Sequence, residues 1–300
     1  MRRLEGRLRL MNHLHDEEVK KLELVANRLR QHVISSVAHA KSGHQGGPLG
    51  MAELFAVLYF HELRHDPKKP EWEDRDRLIL SNGHTCPIRY AAMAEAGYFP
   101  VEELMTLRRL GTRLQGHPER TRFPALETTS GPLGEGIAQA VGMAYAAKMD
   151  GKKWRTYCVT GDGEHDAGIV WESVHFAGKY RLDNLVCIVD RNYIQIDGKT
   201  EDVMPLDPFA DKYRAFGWHV LECGGNDIRD VVRALEEAKG LYQKPVCIVA
   251  HTVPGKGVSY MEGNYLWHSQ PFKPGEAEQA MAELKAEEER LKAEHAAYLK

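Results

Sequence analysis

Thr160-Gly161-Asp162-Gly163-Glu164 closes a strand read over Arg155–Thr160, and a helical pattern at 168–180 comes after it. A second strand, Asn184–Asp190, ends in Arg191-Asn192-Tyr193-Ile194. The alternation continues with a strand over Trp218–Glu222, a helix over Ile228–Leu241 and a strand over Val246–Ala250. Continuous apolar strands alternating with helices belong to parallel sheets covered on both sides. The fold expected is α/β, an open, mostly parallel sheet with helices on both faces.

In such a sheet, ligands bind beyond the carboxyl ends of the strands. Asp162 sits at one strand end, and Asn192 lies thirty positions later, at the end of the next strand. One helix plus one strand separates them, so both fall on the same edge. Gly161 and Gly163 suggest a tight turn that lets a ligand approach the backbone. A carboxylate, the Asn192 carbonyl oxygen and the backbone carbonyl of Ile194 form a hard-oxygen set suited to Mg²⁺ or Ca²⁺. Phosphate oxygens would complete the shell, next to a helix N-terminus that favours anions. Gly-Asp-Gly alone is also an ordinary strand-to-helix turn; the partner Asn192 is what gives it chemical meaning.

Outward from this centre, residues 16–40 carry apolar positions at helical spacing. Lys41–Pro48 reads as a glycine-rich loop, 51–63 as a helix and Asp76–Leu80 as a strand. Residues 87–111 read as helical with a break at Gly97 and Pro100, 112–136 as loop, and Ile137–Met149 as a small-residue helix. Glu276–Lys300 is rich in Ala, Glu and Lys and reads as a solvated terminal helix. The expected organisation is an N-terminal extension at 1–15, one domain over 16–275, and the charged helix at 276–300.

The bulk properties exclude several classes. Of 300 residues, 43% are hydrophobic and 28% charged, with a formal net charge of −3. That balance gives no global basic field for nucleic acid or anionic lipid. No run approaches the ~20 apolar residues of a membrane span. The start lacks the apolar core of a signal peptide. Cys86, Cys158, Cys187, Cys223 and Cys247 form no Cys-x-x-Cys pair and read as buried thiols, which fits a reducing cytoplasm.

Gly161-Asp-Gly163 followed by Asn192 resembles the thiamine-diphosphate motif, and Asp190–Gly198 is similar to its transketolase version. Further stretches match that family in order: Ser42-Gly-His44 with Gly47–Gly50, Ser81-Asn-Gly-His84, Gly116-His-Pro-Glu119, Gly131-Pro-Leu-Gly134, Gly255-Lys-Gly257 and Trp267-His268. The resemblance covers roughly 17–272. It implies the diphosphate-binding half of a transketolase that binds Mg²⁺ (or Ca²⁺) and thiamine diphosphate. Asp162, Asn192 and Ile194 are implied as metal ligands. His84, Gly131, Leu133, Gly163 and His268, with those three, are implied as cofactor contacts. His44, His84, His117 and His268 are implied as the catalytic histidines, since neutral-range imidazoles suit proton transfer to sugar oxygens.

The family's activating glutamate and its arginines for sugar phosphate belong to a pyrimidine domain that nothing here matches. The resemblance therefore implies a separate partner chain, an α2β2 heterotetramer and ketol transfer between sugar (phosphate) substrates. Three departures stand out. Ala167 occupies a position where the family carries a glutamate that couples paired sites, leaving Asp166 or Glu172 as substitutes. Glu135 replaces a glutamine, and Cys86-Pro87 follows His84. Two other readings share parts of the pattern. The α-type chain of a 2-oxo acid dehydrogenase shares Gly-Asp-Gly and Asn but not the histidine set. A non-catalytic, cofactor-binding paralogue is suggested only by Ala167.

Overall fold

The computed structural model describes residues 14–298. The expected N-terminal extension therefore lies outside the described residues except for Leu14 and His15. Five parallel strands form the main sheet: β1 (Arg77–Leu80), β2 (Thr156–Gly161), β3 (Leu185–Arg191), β6 (His219–Gly224) and β7 (Val246–His251). Their order is β1-β2-β3-β7-β6. The short strands β4 (Ile194–Gln195) and β5 (Gly198–Lys199) pair as an antiparallel ribbon just past β3.

Strand residues alternate between two cores, as the two-residue period of a strand demands. Tyr157, Val159, Val186, Ile188, Val246 and Ile248 face one side, packed with the helices Asp16–Ala40, Ala52–Val57, Cys86–Glu95 and Ile228–Gly240. Cys158, Cys187, Val189, Cys247 and Val249 face the other, under Glu135–Met149, Gly168–Tyr180 and Phe209–Ala215. Both faces of β2, β3 and β7 are buried, which is why their central residues are continuously apolar. Cys158, Cys187 and Cys247 stand at matched positions on three neighbouring strands. All five cysteines are free and buried.

Several local expectations change. Gly46–Gly50, whose first three residues are expected as the end of a loop, forms a helical turn, and the following helix Ala52–Val57 continues as a π-helix over Leu58–Glu62. The 87–111 segment is helical only over Cys86–Glu95, then again as 3₁₀ over Val101–Thr106. Gly97 at φ 91° turns the chain out of the helix between them. The terminal helix Glu276–Tyr298 is not simply solvated. Ala280, Leu284 and Leu291 are buried along one narrow stripe, and the helix lies along Asp16–Ala40 with Gln31 donating to Glu288 at 2.9 Å. A stripe this thin is diluted by the charged residues around it, so the composition conceals it. Burying a leucine of this kind is worth about 1.5–3 kcal/mol. Among the described residues no helix is long and apolar enough to cross a membrane.

Candidate functional site

The site is built where β2 and β3 end. Gly161 and Asp190 are register partners there, and the Asp162 N–H donates to the Asp190 carbonyl at 3.2 Å. Asp162 is 1% exposed. Its Oδ2 accepts from the Tyr193 N–H at 2.7 Å and from Arg191 Nη1 at 3.2 Å, while Oδ1 accepts only the Gly163 N–H, at 2.8 Å. Burial pushes the Asp162 carboxyl up, against the pull of the Tyr193 and Gly163 amides and of Arg191. A cation at Oδ1 would offset the buried charge.

Asn192 is oriented by its neighbours. Its Nδ2 donates to Asp190 Oδ2 at 2.7 Å, and its Oδ1 accepts the Ile194 N–H at 3.0 Å. The amide nitrogen is thereby committed to the carboxylate and the carbonyl oxygen faces the turn. Asp190 is itself held by Thr252 Oγ1 and is pushed up to about 7, chiefly by burial. Between the two, Tyr193 sits at φ 62°, an unusual conformation for a bulky residue. The N–H bond to Asp162 fixes it, together with a 2.7 Å bond between its hydroxyl and His251 Nδ1.

The glycines of the Gly-Asp-Gly turn act differently from the expectation. Neither Gly161 nor Gly163 has positive φ. A Cβ on Gly161 would meet Asn82 only at an ordinary 3.8 Å, whereas one on Gly163 would meet Gln195 Cγ at 2.7 Å. Close approach of the β4 ribbon, rather than turn geometry, explains Gly163.

The structure brings together three of the four expected histidines. The ring centroids of His44 and His84 are 4.8 Å apart, those of His84 and His268 5.2 Å, and those of His44 and His268 5.4 Å. His117 makes no ring contact with them and is more exposed. Burial lowers all of these histidines. His44 falls to about 3, helped by His268 and Arg108, and His84 lies well below the ordinary range. His268 and His117 shift the same way, His117 with help from Arg108. They are neutral at pH 7, able to accept or relay a proton. His44 Nδ1 and His268 Nδ1 are buried without a hydrogen-bond partner, as are Asn82 Oδ1, Gln45 Oε1 and Ser130 Oγ on the adjoining loops. Buried polar atoms in native proteins are normally paired. A concentration of unpaired ones on these loops fits a polar, phosphate-bearing ligand.

One organising residue escaped the sequence reading. Glu164 is 3% exposed. Its Oε1 accepts from the Gly134 N–H at 2.6 Å and from the Ser81 hydroxyl; its Oε2 accepts the Gly161 N–H at 3.0 Å. A single carboxylate thus ties the Gly-Asp-Gly turn to the His84 loop and to the Gly131–Gly134 loop. Gly83 lets the His84 loop lie directly against the Gly131–Gly134 loop, because a Cβ there would overlap Ser130. Nothing in a lone glutamate after Gly-Asp-Gly signals this; two of the three donors, Ser81 and Gly134, come from segments far away in sequence. Arg191 was missed too. It is buried, bonds Glu201 at 2.7 Å and Asp207 at 3.1 Å as well as Asp162, and lies 4.3 Å over the Tyr193 ring.

Gly131 and Leu133 lie at the open side of this arrangement: a Cβ on Gly131 would meet nothing within 4 Å, and Leu133 is 46% exposed. Cys86 is explained by packing, since its thiol lies 3.3 Å from the Gly116 carbonyl and ties the His84 and His117 loops. Ala167 packs beside the Gly134 turn. Asp166 accepts from Gln195 at 3.0 Å, and Glu172 is exposed on its helix. Glu135 is exposed in the first turn of the Glu135–Met149 helix, where an acid suits the helix dipole.

No group of three His, Cys, Asp or Glu among the described residues could hold a metal alone. The donor set at Asp162 and Asn192 is one carboxylate and one carboxamide oxygen, so it fits a cation that arrives with phosphate oxygens.

Comparison with known proteins agrees with this geometry. Residues 21–296 match the family described as "Transketolase, thiamine diphosphate binding domain". The chain is 43% identical over 266 residues to the 6-deoxy-6-sulfo-D-fructose transketolase subunit SqwG of a Clostridium species, covering 89% of this chain and 97% of that protein. It is 39% identical to an apulose-4-phosphate transketolase subunit of Phocaeicola vulgatus, covering 93% and 99%. Among solved structures, the transketolase of Campylobacter jejuni superposes with a TM-score of 0.83 at 33% identity, over 92% of this chain and 47% of that one. The chain thus spans about half the length of that transketolase. With the fold, the ordered motifs and these matches in agreement, the chain belongs to the transketolase family, through its thiamine diphosphate binding domain.

Proposed function

We propose that this chain binds magnesium and thiamine diphosphate and, with a separate chain carrying the pyrimidine domain, transfers a two-carbon ketol unit from a ketose to an aldose. The observation that carries the proposal is the pairing of the buried Asp162–Asn192 turn with a histidine cluster whose His44 and His268 ring nitrogens lack partners. Asp162, Asn192 and the Ile194 carbonyl hold the cation. Gly163, His84 and His268 hold the diphosphate, and the backbone at Gly131 and Leu133 faces the remainder of the cofactor. When bound, thiamine diphosphate supplies a nucleophilic carbon and an electron sink for breaking a bond beside a ketone. The protein's part is to position the sugar and move protons. His44, His84, His117 and His268, all lowered by burial, provide neutral imidazoles for that task at pH 7.

The two relatives named as transketolase subunits support a separate partner chain. An exposed apolar face with Ile169, Phe176 and Tyr180 on the Gly168–Tyr180 helix supports an α2β2 heterotetramer in which two copies of this chain meet. Five buried free thiols favour a reducing cytoplasm. The test is co-expression with the pyrimidine-domain chain, followed by Mg²⁺-dependent cofactor titration and a ketol-transfer assay. Transfer by the complex alone is expected. Full transfer by the isolated chain rejects the partner requirement, and no transfer by the cofactor-loaded complex rejects the reaction.

A further inference from the structure

A group of cations beside the histidine cluster has no assigned task. Lys41 closes the Asp16–Ala40 helix with φ 54°, and Arg108 has φ 60°. Arg108 Nη1 donates to Ser42 Oγ at 2.9 Å, two residues before His44. Its guanidinium also packs against Gly116, just before His117; a Cβ there would lie 2.8 Å from Arg108 Nε and 2.9 Å from Cζ. Arg108 therefore bridges the loops that carry His44 and His117. Arg109 follows it and contacts the ring of His39.

The surrounding arginines are neutralised and these cations are not. Arg28 lies 3.5 Å from Glu95, and Arg113 lies 2.6 Å from Glu103. Among the described residues, Lys41, Arg108 and Arg109 have no carboxylate within 4.0 Å. The negative end of the Asp16–Ala40 helix accounts for cations at Lys41 and Arg109. It does not account for Arg108, which reaches past the helix end to Ser42 and Gly116. A guanidinium fork with free donors suits a planar or tetrahedral oxyanion.

We propose that Arg108, with Arg109 and Lys41 adding to the local field, forms an anion subsite at the outer end of the histidine cluster. It takes the terminal oxyanion of the sugar substrate, a phosphate or a sulfonate. The subsite rests on the ketol-transfer reading above. It adds a contribution from this chain to a grip on the charged end of the sugar that the family resemblance places only on the partner.

The experiment uses the cofactor-loaded complex with its partner chain and three acceptor aldoses: one phosphorylated, one sulfonated and one with an uncharged end. In Arg108→Ala, kcat/KM for an anionic aldose relative to the uncharged one is expected to fall at least about tenfold, mainly through KM, equivalent to ~1.4 kcal/mol. Arg108→Lys should recover part of it, and Arg109→Ala should give a smaller loss that shrinks with added salt. Loss confined to the phosphorylated or to the sulfonated sugar supports the subsite and names its anion. Equal loss on charged and uncharged sugars, or no loss at all, overturns it. If the wild-type complex transfers no ketol unit, the reaction fails instead. The subsite is then judged by calorimetric binding of inorganic phosphate, which must weaken in Arg108→Ala and must not be unchanged.

Discussion

Replacing Glu164 by Gln tests the physical core of the site. The carboxylate accepts three hydrogen bonds, two at Oε1 from Gly134 and Ser81 and one at Oε2 from Gly161. Gln keeps the shape but has one acceptor oxygen. If that oxygen retains the Oε1 bonds, Nε2 faces the Gly161 N–H, donor against donor. The lost charge-assisted bond costs roughly 1.5–3 kcal/mol and the orphaned amide roughly 1–3 kcal/mol. Part of this is offset, because burial raises the Glu164 carboxyl and no cation among the described residues neutralises it. A net loss of about 2 kcal/mol is expected, which lowers Tm by roughly 4–8 °C at the 2–4 °C per kcal/mol of domains of 150–250 residues.

The functional consequence is specific. Gly161 begins the turn that presents Asp162, and Gly134 closes the loop expected over the cofactor. The half-saturating concentration of thiamine diphosphate should rise about tenfold, equivalent to ~1.4 kcal/mol, while kcat at saturation stays within about twofold. Tryptophan-fluorescence titration of the complex and cofactor-dependent rates measure this. A variant with lowered Tm and unchanged cofactor affinity would show that Glu164 only stabilises the fold, and the reasoning would be refuted.

Asp162→Ala should abolish Mg²⁺-dependent cofactor binding by the complex, seen by calorimetry; unaltered affinity removes the metal assignment. Gly83→Ala forces a Cβ into Ser130 and should destabilise by about 1–3 kcal/mol, with kcat reduced because His84 is the next residue; a neutral effect in both chemical denaturation and rate contradicts the close packing. The pH dependence follows from the histidines. His44 falls from an ordinary value near 6.5 to about 3 in the fold, so below pH 6.5 the unfolded chain takes up a proton that the folded chain refuses. That stability is complete above pH 6.5 and lost progressively toward pH 3. Asp190, raised to about 7, acts in the opposite sense, losing stability as pH rises from its ordinary 3.8. Comparing melts of wild type and His44→Asn from pH 7.5 to 4.5 isolates the histidine: the wild type should lose more stability, and parallel curves would count against a neutral buried ring.

Much of the fold was legible because its driving pattern is local. A strand covered on both faces must be apolar through its middle, and β2 (Tyr157–Val159), β3 (Leu185–Val189) and β7 (Val246–Ala250) are. Asp162 and Asn192 could be placed on one sheet edge because the length of one helix and one strand fixes that geometry. Ordered short motifs pointed to the same family that the matches show. The terminal helix was harder, since the stripe Ala280, Leu284 and Leu291 is narrow and buried only because the Asp16–Ala40 helix lies beside it. The 87–111 segment was read as too helical because apolar spacing persists beyond the turn at Gly97.

Sequence alone determined the parallel α/β sheet and the strand-end positions of Asp162 and Asn192, and it singled out the histidines. Tertiary structure decided which side chains meet. His44, His84 and His268 are spread over more than two hundred positions, yet their rings touch. Glu164 became central because Ser81, Gly134 and Gly161 converge on it, and Arg108 became notable because no carboxylate among the described residues does. A strand's burial is written in its own residues, whereas a hydrogen bond, an ion pair or its absence depends on distances between segments that only the folded chain sets.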